Sequence, residues 1–318
     1  MPDGLRVRLK WLVRVAVSVA IVAYILHDVD RGDLLATLRK VELGPFAAAA
    51  LLYVVGQLLS AWKWSFLGRS VGFARPVADY VRFYFVGMFF NLFGPSTVGG
   101  DVVRALYLGE GRRPGLAINS VVFDRLTGLA LLMALGAAAL VVFPGYGFPW
   151  PFMATVVGGG VTLLAGWWTA PRIVRLLPAG NRLRRLVETD LEPFWRDRGL
   201  LLRVSAISIV FHLSQVGVQW VLARAVGVAL PLSYCLVMHP VLSVMMALPF
   251  SVAGFGVREG GYLYFLTRID VDDSIAVTMG LLWFATTAVS GLIGGAIFLA
   301  SGAELPRLRA ADGRAAAG

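Results

Sequence analysis

The sequence predicts an all-α integral membrane protein, with about six full spans plus two re-entrant broken-helix hairpins in an inverted repeat. Three observations carry this. Hydrophobic residues make up 58% of the 318 positions and charged residues only 15%, where a soluble domain carries roughly 25% charged and about 45–50% apolar residues. The apolar positions gather into stretches of membrane-spanning length. Two of those stretches are broken by Pro and Gly at corresponding places. A soluble body of this size would lack the polar residues to cover its surface. Composition therefore argues against a soluble enzyme, a disordered chain and a nucleic-acid-binding module, despite the formal net charge of +10. Mean hydropathy is +0.75 and the pI is near 10.2. Arg supplies most of the basic surplus, with Lys only at Lys10, Lys40 and Lys63. A basic chain this apolar most simply faces an anionic membrane surface.

The elements follow in chain order. Arg6, Arg8, Lys10 and Arg14 precede the apolar run Val15–Leu26, as in a signal peptide. His27-Asp28-Val29-Asp30 then stands where a small-residue cleavage site would, so Trp11–His27 reads as an uncleaved first span. Gly44–Trp62, Leu116–Phe143, Trp150–Ala170, Leu200–Val226 and Ser274–Ala300 each approach the roughly 20 apolar residues that a crossing helix needs. Tyr80–Leu108 is interrupted by Gly94-Pro95-Ser96-Thr97-Val98-Gly99-Gly100-Asp101, and Ser233–Leu266 by Pro249–Gly256. Pro removes a backbone donor and Gly is a weak helix former, so each stretch reads as two half-helices joined by a turn. At membrane depth such a turn survives only inside protein or against a wet cavity.

Charge bias sets the orientation. The basic N-terminus is placed in the cytoplasm and the mixed loop Asp28–Glu42 outside. Lys63, Arg69 and Arg75 precede the first broken stretch, Arg82 stands at its start, and Arg112 and Arg113 follow it, so both of its ends read as cytoplasmic. Uncharged Pro144–Pro151 falls outside. Arg-rich Pro171–Arg198 falls inside, as an amphipathic interfacial helix. Asp270, Asp272 and Asp273 put the end of the second broken stretch outside, and Arg307, Arg309 and Arg314 return the C-terminus to the cytoplasm. Span, span, hairpin, span thus occurs twice with opposite orientation. The whole reads as one membrane domain over residues 1–300, with repeats of about 10–143 and 150–300, and a short tail at 301–318. Pro95-x4-Gly100-x3-Arg104 has the spacing of Pro249-x4-Gly254-x3-Arg258, 154 residues later. Inverted repeats with broken helices in matching positions are a transporter pattern, with the site at the repeat interface. A duplicated scaffold without transport is the plainer alternative.

The candidate binding residues cluster at the two turns. Gly99 and Gly100 bare the backbone just before a half-helix whose N-terminal N–H groups and dipole favour an anion. Asn91 and Ser96 flank that turn and Ser251 lies in the other. Arg104 can add bidentate contacts to a phosphate. Asp101 stands three residues before it, either pairing with Arg104 or capping the helix. Arg258-Glu259 is an adjacent opposite pair in an apolar stretch. It is either a functional site, the default for an intramembrane charge, or a salt bridge locking the hairpin. Asp124-Arg125 lies a third of the way along Leu116–Phe143. Ser120, Asp124, Thr127 and Gly128 share one helical face, from which Asp124 can neutralise Arg104. His212, Gln215 and Gln219 share a face that reads as interhelical hydrogen-bond glue or as a substrate or proton path. Trp11, Trp62, Trp64 and Trp150 read as an interface belt. Three scattered His and one Cys give no metal-ligand spacing, and neither a P-loop nor a nucleophile elbow is present, so no metal, cofactor or enzymatic activity is expected.

These residues resemble a known family. Asn91…Pro95-Ser96…Gly99-Gly100-Asp101…Arg104, Asp124-Arg125 and Leu248-Pro249…Gly254…Gly256-Val257-Arg258-Glu259 are similar to the motifs of the transmembrane region of lysylphosphatidylglycerol synthases, also called the flippase-like domain. The resemblance spans roughly residues 10–300. It implies movement of a lipid across the bilayer, with lysylphosphatidylglycerol and polyprenol-linked sugars as the substrates suggested by the relatives. It does not imply lysyltransferase activity, which in the synthases belongs to a soluble domain following the membrane part. The expected function is an inner-membrane lipid translocase for an anionic or aminoacylated phospholipid or a polyprenol-phosphate-linked lipid, downhill or ion-coupled. An ion-coupled small-molecule transporter and an accessory subunit of a lipid or glycosyl transferase are the alternatives. The expected partner is a membrane lipid and not nucleic acid; sequence gives no oligomeric state.

Overall fold

The computed structural model describes residues 31–93, 98–110, 113–178, 180–247 and 254–302. Among these there is no strand. Twelve α-helices follow in order: α1 (Arg31–Arg39), α2 (Leu43–Ser70), α3 (Val77–Phe93), α4 (Val98–Gly109), α5 (Pro114–Val142), α6 (Trp150–Ile173), α7 (Arg182–Arg185), α8 (Glu192–Arg196), α9 (Arg198–Ala225), α10 (Leu232–Ala247), α11 (Val257–Leu266) and α12 (Asp273–Ala300). Five helices are long and apolar enough to cross a membrane: α2, α5, α6 (with its 3-10 extension to Leu176), α9 and α12. Six full spans were expected; the sixth, Trp11–His27, lies outside the described residues, as does the tail from 303 onward.

Local chemistry sets the helix ends. Pro114 opens α5 at a position whose N–H has no intrahelical partner to lose. Asp197 caps α9, its Oδ1 accepting from Leu200 N at 2.9 Å. The C-termini of α2 and α9 close the same way. Phe73 N donates to Gly68 O at 3.0 Å around Gly72, and Val228 N to Ala223 O at 2.9 Å around Gly227. Both turn glycines have positive φ, +94° and +76°, which a Cβ would disfavour.

The helices α2–α5 and α9–α12 match in order and length, at 28, 17, 12 and 29 residues against 28, 16, 10 and 28. Their packing matches too. α3 packs on α12 and α10 on α5, while α2 packs on α9. The α2–α9 pair is antiparallel: Glu42 N bonds Ala225 O, and Lys63 bonds Ser208. The short pairs α3–α4 and α10–α11 fold back as helical hairpins. Phe83 stacks on Tyr107 in the first, and the Tyr234 hydroxyl donates to Phe265 O in the second. At 1.5 Å per residue, helices of this size reach only about 15–25 Å, short of a hydrocarbon core of about 30 Å.

Each hairpin is bedded in its own apolar cluster. Trp64, Tyr80, Phe123, Phe194 and Leu108 surround the first, and Tyr234, Phe265, Met238 and Leu282 the second. The outer faces of the spans are apolar as well: Leu51, Val55, Val161, Leu202, Val210 and Leu292 are exposed. A face of that kind suits lipid rather than water. Small residues let the backbones close up. A Cβ on Gly294 would overlap the Phe85 carbonyl, whereas one on Gly158 would meet open space. Gly294→Leu is therefore expected to cost about 1–3 kcal/mol of stability through overpacking. A lowered Tm in detergent, with Gly158→Leu near wild type, checks this.

Three sequence expectations change. The span Gly44–Trp62 runs on to Ser70 as one helix, so Lys63 is not a cytoplasmic-loop cation but lies inside it, 3% exposed. Trp64 is not a belt residue; it is wholly buried and its Nε1 donates to Ser120 Oγ at 3.1 Å. Pro171–Arg198 is not one amphipathic helix but several short pieces, including α7, a π turn at Leu186–Asp190 and α8. Their anchors Leu191 and Phe194 bury beside Phe123 and Trp167, and that tertiary packing breaks the simple period.

Candidate functional site

The two hairpins converge on one cavity of about 570 Å³. Its lining includes Gly100 and Arg104 from the first hairpin and Gly254 and Arg258 from the second. The long helices α2, α5, α9 and α12 complete the wall, so the cavity lies where the two matching halves meet.

The first hairpin holds a charge network that is buried except for the half-exposed Arg125. Arg104, 2% exposed, reaches Asp124 Oδ2 with Nη2 at 3.1 Å and Asp101 Oδ1 with Nε at 3.1 Å. Lys63 Nζ takes the other Asp124 oxygen at 2.9 Å and donates to Ser208 Oγ at 3.1 Å. Arg125 grips Asp101 with two donors, at 2.8 and 2.9 Å. Each carboxylate thus bridges two cations, which offsets the cost of burying charge. Three cations against two carboxylates leave a positive surplus, and Arg104 Nη1 is buried without a hydrogen-bond partner. The guanidinium sits between the rings of Trp64 and Tyr84, at 4.9 and 5.0 Å.

Arg258 has a parallel seat, between Phe255 and Phe284 at 4.9 and 5.0 Å. Its charge is balanced differently. Glu259 Oε1 accepts from Arg258 Nε at 2.9 Å while Oε2 accepts from Gly256 N at 2.7 Å, fastening the start of α11. Gly254 and Gly256 turn the chain there at φ +78° and +83°.

The sequence candidates separate accordingly. Arg104, Asp101, Gly100, Asn91, Asp124, Arg125 and Arg258 line the cavity. Asn91 spends its amide oxygen on Gly100 N, at 2.7 Å, and so pins the first turn. Gly99 and Glu259 are not in the lining, and the Glu259 oxygens are both engaged. Ser96 and Ser251 lie outside the described residues.

Sequence reasoning missed Lys63, Trp64, Gln57 and Tyr84. The signal was present on α2: Tyr53, Gln57, Ser60 and Lys63 recur at helical spacing and all line the cavity. His212 is a mixed case. Its Nε2 donates to Gly128 O at 2.9 Å, as helix glue would, yet the ring also lines the cavity. Gln219 and His239 pair with each other at 3.1 Å. No group of His, Cys, Asp and Glu among the described residues is arranged to hold a metal ion.

Compared with known protein families, the chain matches the one described as lysylphosphatidylglycerol synthase TM region over residues 11–295. Among curated proteins, none matches.

Proposed function

The chain belongs to the lysylphosphatidylglycerol synthase transmembrane-region family and is a multi-pass membrane protein, and from that premise we propose that it is a lipid translocase whose headgroup site is the cavity between the two hairpins. One observation carries the reading: three cationic side chains, Lys63, Arg104 and Arg125, line that cavity against two carboxylates, Asp101 and Asp124, while Arg258, paired with Glu259, faces it from the second hairpin. The surplus suits a phosphate entering between the turns. Acyl tails would stay in lipid along the apolar outer faces.

The same proposal takes the halves as an inverted repeat and the hairpins as re-entrant. The matching helix lengths, exchanged packing partners and paired glycine caps at Gly72 and Gly227 support it. Because α2 and α9 are counterparts packed antiparallel, the axis relating them runs across both helices. If those helices cross the bilayer, the axis lies in the membrane plane. Rocking one half against the other would then expose the cavity alternately to each side, as in transporters built from inverted repeats. The setting is taken to be a bacterial inner membrane with both termini cytoplasmic.

The experiment is reconstitution of the full chain in vesicles carrying a fluorescent phospholipid, with a membrane-impermeant quencher added outside. Protein-free vesicles lose about half the signal, that of the outer leaflet. Active vesicles are expected to lose nearly all of it. Loss limited to the outer leaflet at every protein-to-lipid ratio would contradict the reading.

A further inference from the structure

His212 has one ring nitrogen engaged and one left over. Its Nε2 lies 2.9 Å from the Gly128 carbonyl oxygen. A carbonyl oxygen only accepts, so Nε2 carries a hydrogen and, in the neutral ring, Nδ1 carries none. That Nδ1 is buried without a hydrogen-bond partner. The residue is 7% exposed and lines the cavity. The bare nitrogen is where the ring can take a proton, and taking it breaks no existing bond. The Nε2 contact to Gly128 persists in imidazolium, in which both nitrogens donate.

The charges around the ring decide when that happens. On α9, Ser208 stands one helical turn before His212 and accepts from the Lys63 ammonium of α2. On α5, Asp124 stands one turn before Gly128 and pairs with the same ammonium. Both charges therefore lie about one turn, roughly 6 Å along the wall, from the ring. Asp124 is shared with Arg104 of α4, which with Arg125 also holds Asp101. Lys63, Arg104 and Arg125 against Asp101 and Asp124 leave one net positive charge. From α10 the titratable group in the lining is His239, bonded to Gln219. From α12 the lining takes Trp283, Phe284 and Thr287, which carry no charge, and Arg258 of α11 is balanced by Glu259. Glu192 and Arg196 of α8 flank the start of α9, about 20 Å from His212. No group gives the ring a carboxylate of its own, so the neutral ring is the form these charges favour.

An anion changes that balance. A phosphodiester entering beside Lys63 and Arg104 cancels the positive surplus, and with it the opposition to imidazolium. In a wall this buried, charges about one turn apart interact more strongly than in water. The protonated Nδ1 then adds a donor to the wall. Anion and proton each favour the other's binding, and by linkage the two effects are equal. The matching position in the other half cannot do this. His212 is the fifteenth residue of α9, and the fifteenth of α2 is Gln57, which lines the same cavity without titrating.

Resting on the translocase reading for its site, we propose that His212 is a proton-binding site coupled to the anion site, so that a lipid phosphate and a proton occupy the cavity together. A proton gradient would then drive movement of the lipid.

The test is proton uptake on binding, which stands apart from transport. The purified full chain in detergent is titrated with short-chain phosphatidylglycerol, a phosphodiester probe whose single charge does not change near neutral pH. Calorimetry in two buffers of different ionisation enthalpy reads the protons taken up per lipid bound. Wild type is expected to take up a proton fraction of up to about one, and its affinity to fall as pH rises, by up to about tenfold per pH unit, because the bound form holds the extra proton. His212→Gln puts in place the residue that α2 already carries there and keeps an amide donor for Gly128. It should bind the probe without proton uptake and with a flat pH dependence between about pH 6 and 8. His239→Gln should retain the uptake. No uptake by wild type overturns the proposal, and that result needs no variant. Uptake that survives in His212→Gln, or that disappears only in His239→Gln, overturns it as well, and no binding of the probe removes the anion site on which it rests. Proton uptake on binding without any vesicle transport would leave the coupling standing and remove the translocase reading; transport with no proton uptake would do the reverse.

Discussion

Arg104→Ala is expected to lower lipid movement by about 10- to 100-fold, the worth of a charge-assisted hydrogen bond in a water-poor site. Arg104 is the residue on which the site turns. It is 2% exposed, held by Asp101 and Asp124, flanked by Trp64 and Tyr84, and has one donor left for a ligand. The substitution removes a cation but leaves Asp124 paired with Lys63 and Asp101 paired with Arg125, so the helices retain most of their contacts. Arg104→Lys keeps charge without the planar fork, and should recover only part of the rate. Arg258→Ala removes the corresponding cation of the second hairpin and should also impair transport, with a larger stability loss because Glu259 then stays buried without its partner. Quencher-accessible lipid in vesicles, normalised to inserted folded protein, measures all three. Undiminished movement by both alanine variants would remove the two-arginine mechanism.

Asp124→Leu is expected to act on stability. Asp124 is the common counter-ion of Lys63 and Arg104. Without it two cations remain in the wall with one carboxylate, Asp101, within reach of Arg104. Breaking a buried pair by removing one partner typically costs about 3–5 kcal/mol. The variant should therefore purify poorly and melt well below wild type. Lys63→Met combined with Asp124→Leu removes the ammonium stranded by the single change. It should melt above Asp124→Leu alone, a non-additivity that a double-mutant cycle reads directly. If the double variant falls to the sum of the single losses, the two side chains do not act as one pair.

Much of the architecture was legible in the sequence because lipid imposes a coarse rule. A crossing helix must be long and apolar, and a break must be marked by Pro or Gly. That rule gave five of the spans to within a few residues at most ends, and both helical hairpins. The equal spacing to Arg104 and Arg258 singled out the two cations that the fold brings to one cavity. Lys63 was misread for a physical reason. Flanked by Trp62 and Trp64 and followed by Arg69, it has the pattern of an interface belt and a cytoplasmic boundary. Only packing of α2 against Asp124 of α5 and Ser208 of α9 makes it interior. Trp64 escaped similarly, since its place under Arg104 depends on the hairpin folding back. Glu259 was legible as a charge but not as a helix fastener, because its bond to Gly256 N depends on the positive-φ turn between Gly254 and Gly256. His212 and Gln215 were seen as one face. Which of their atoms remain unpaired is a matter of neighbours on α2 and α5.

The most direct test of the headgroup site is photo-crosslinking in vesicles, using a phospholipid with the photoreactive group in its headgroup and mapping the adducts by mass spectrometry. Adducts are expected on cavity-lining segments of both halves, around Tyr84–Arg104 and around His239–Arg258, and competed away by unlabelled lipid. Adducts confined to outward faces such as Val161 on α6 or Leu202 on α9, with none on either hairpin, would contradict a headgroup site between the turns.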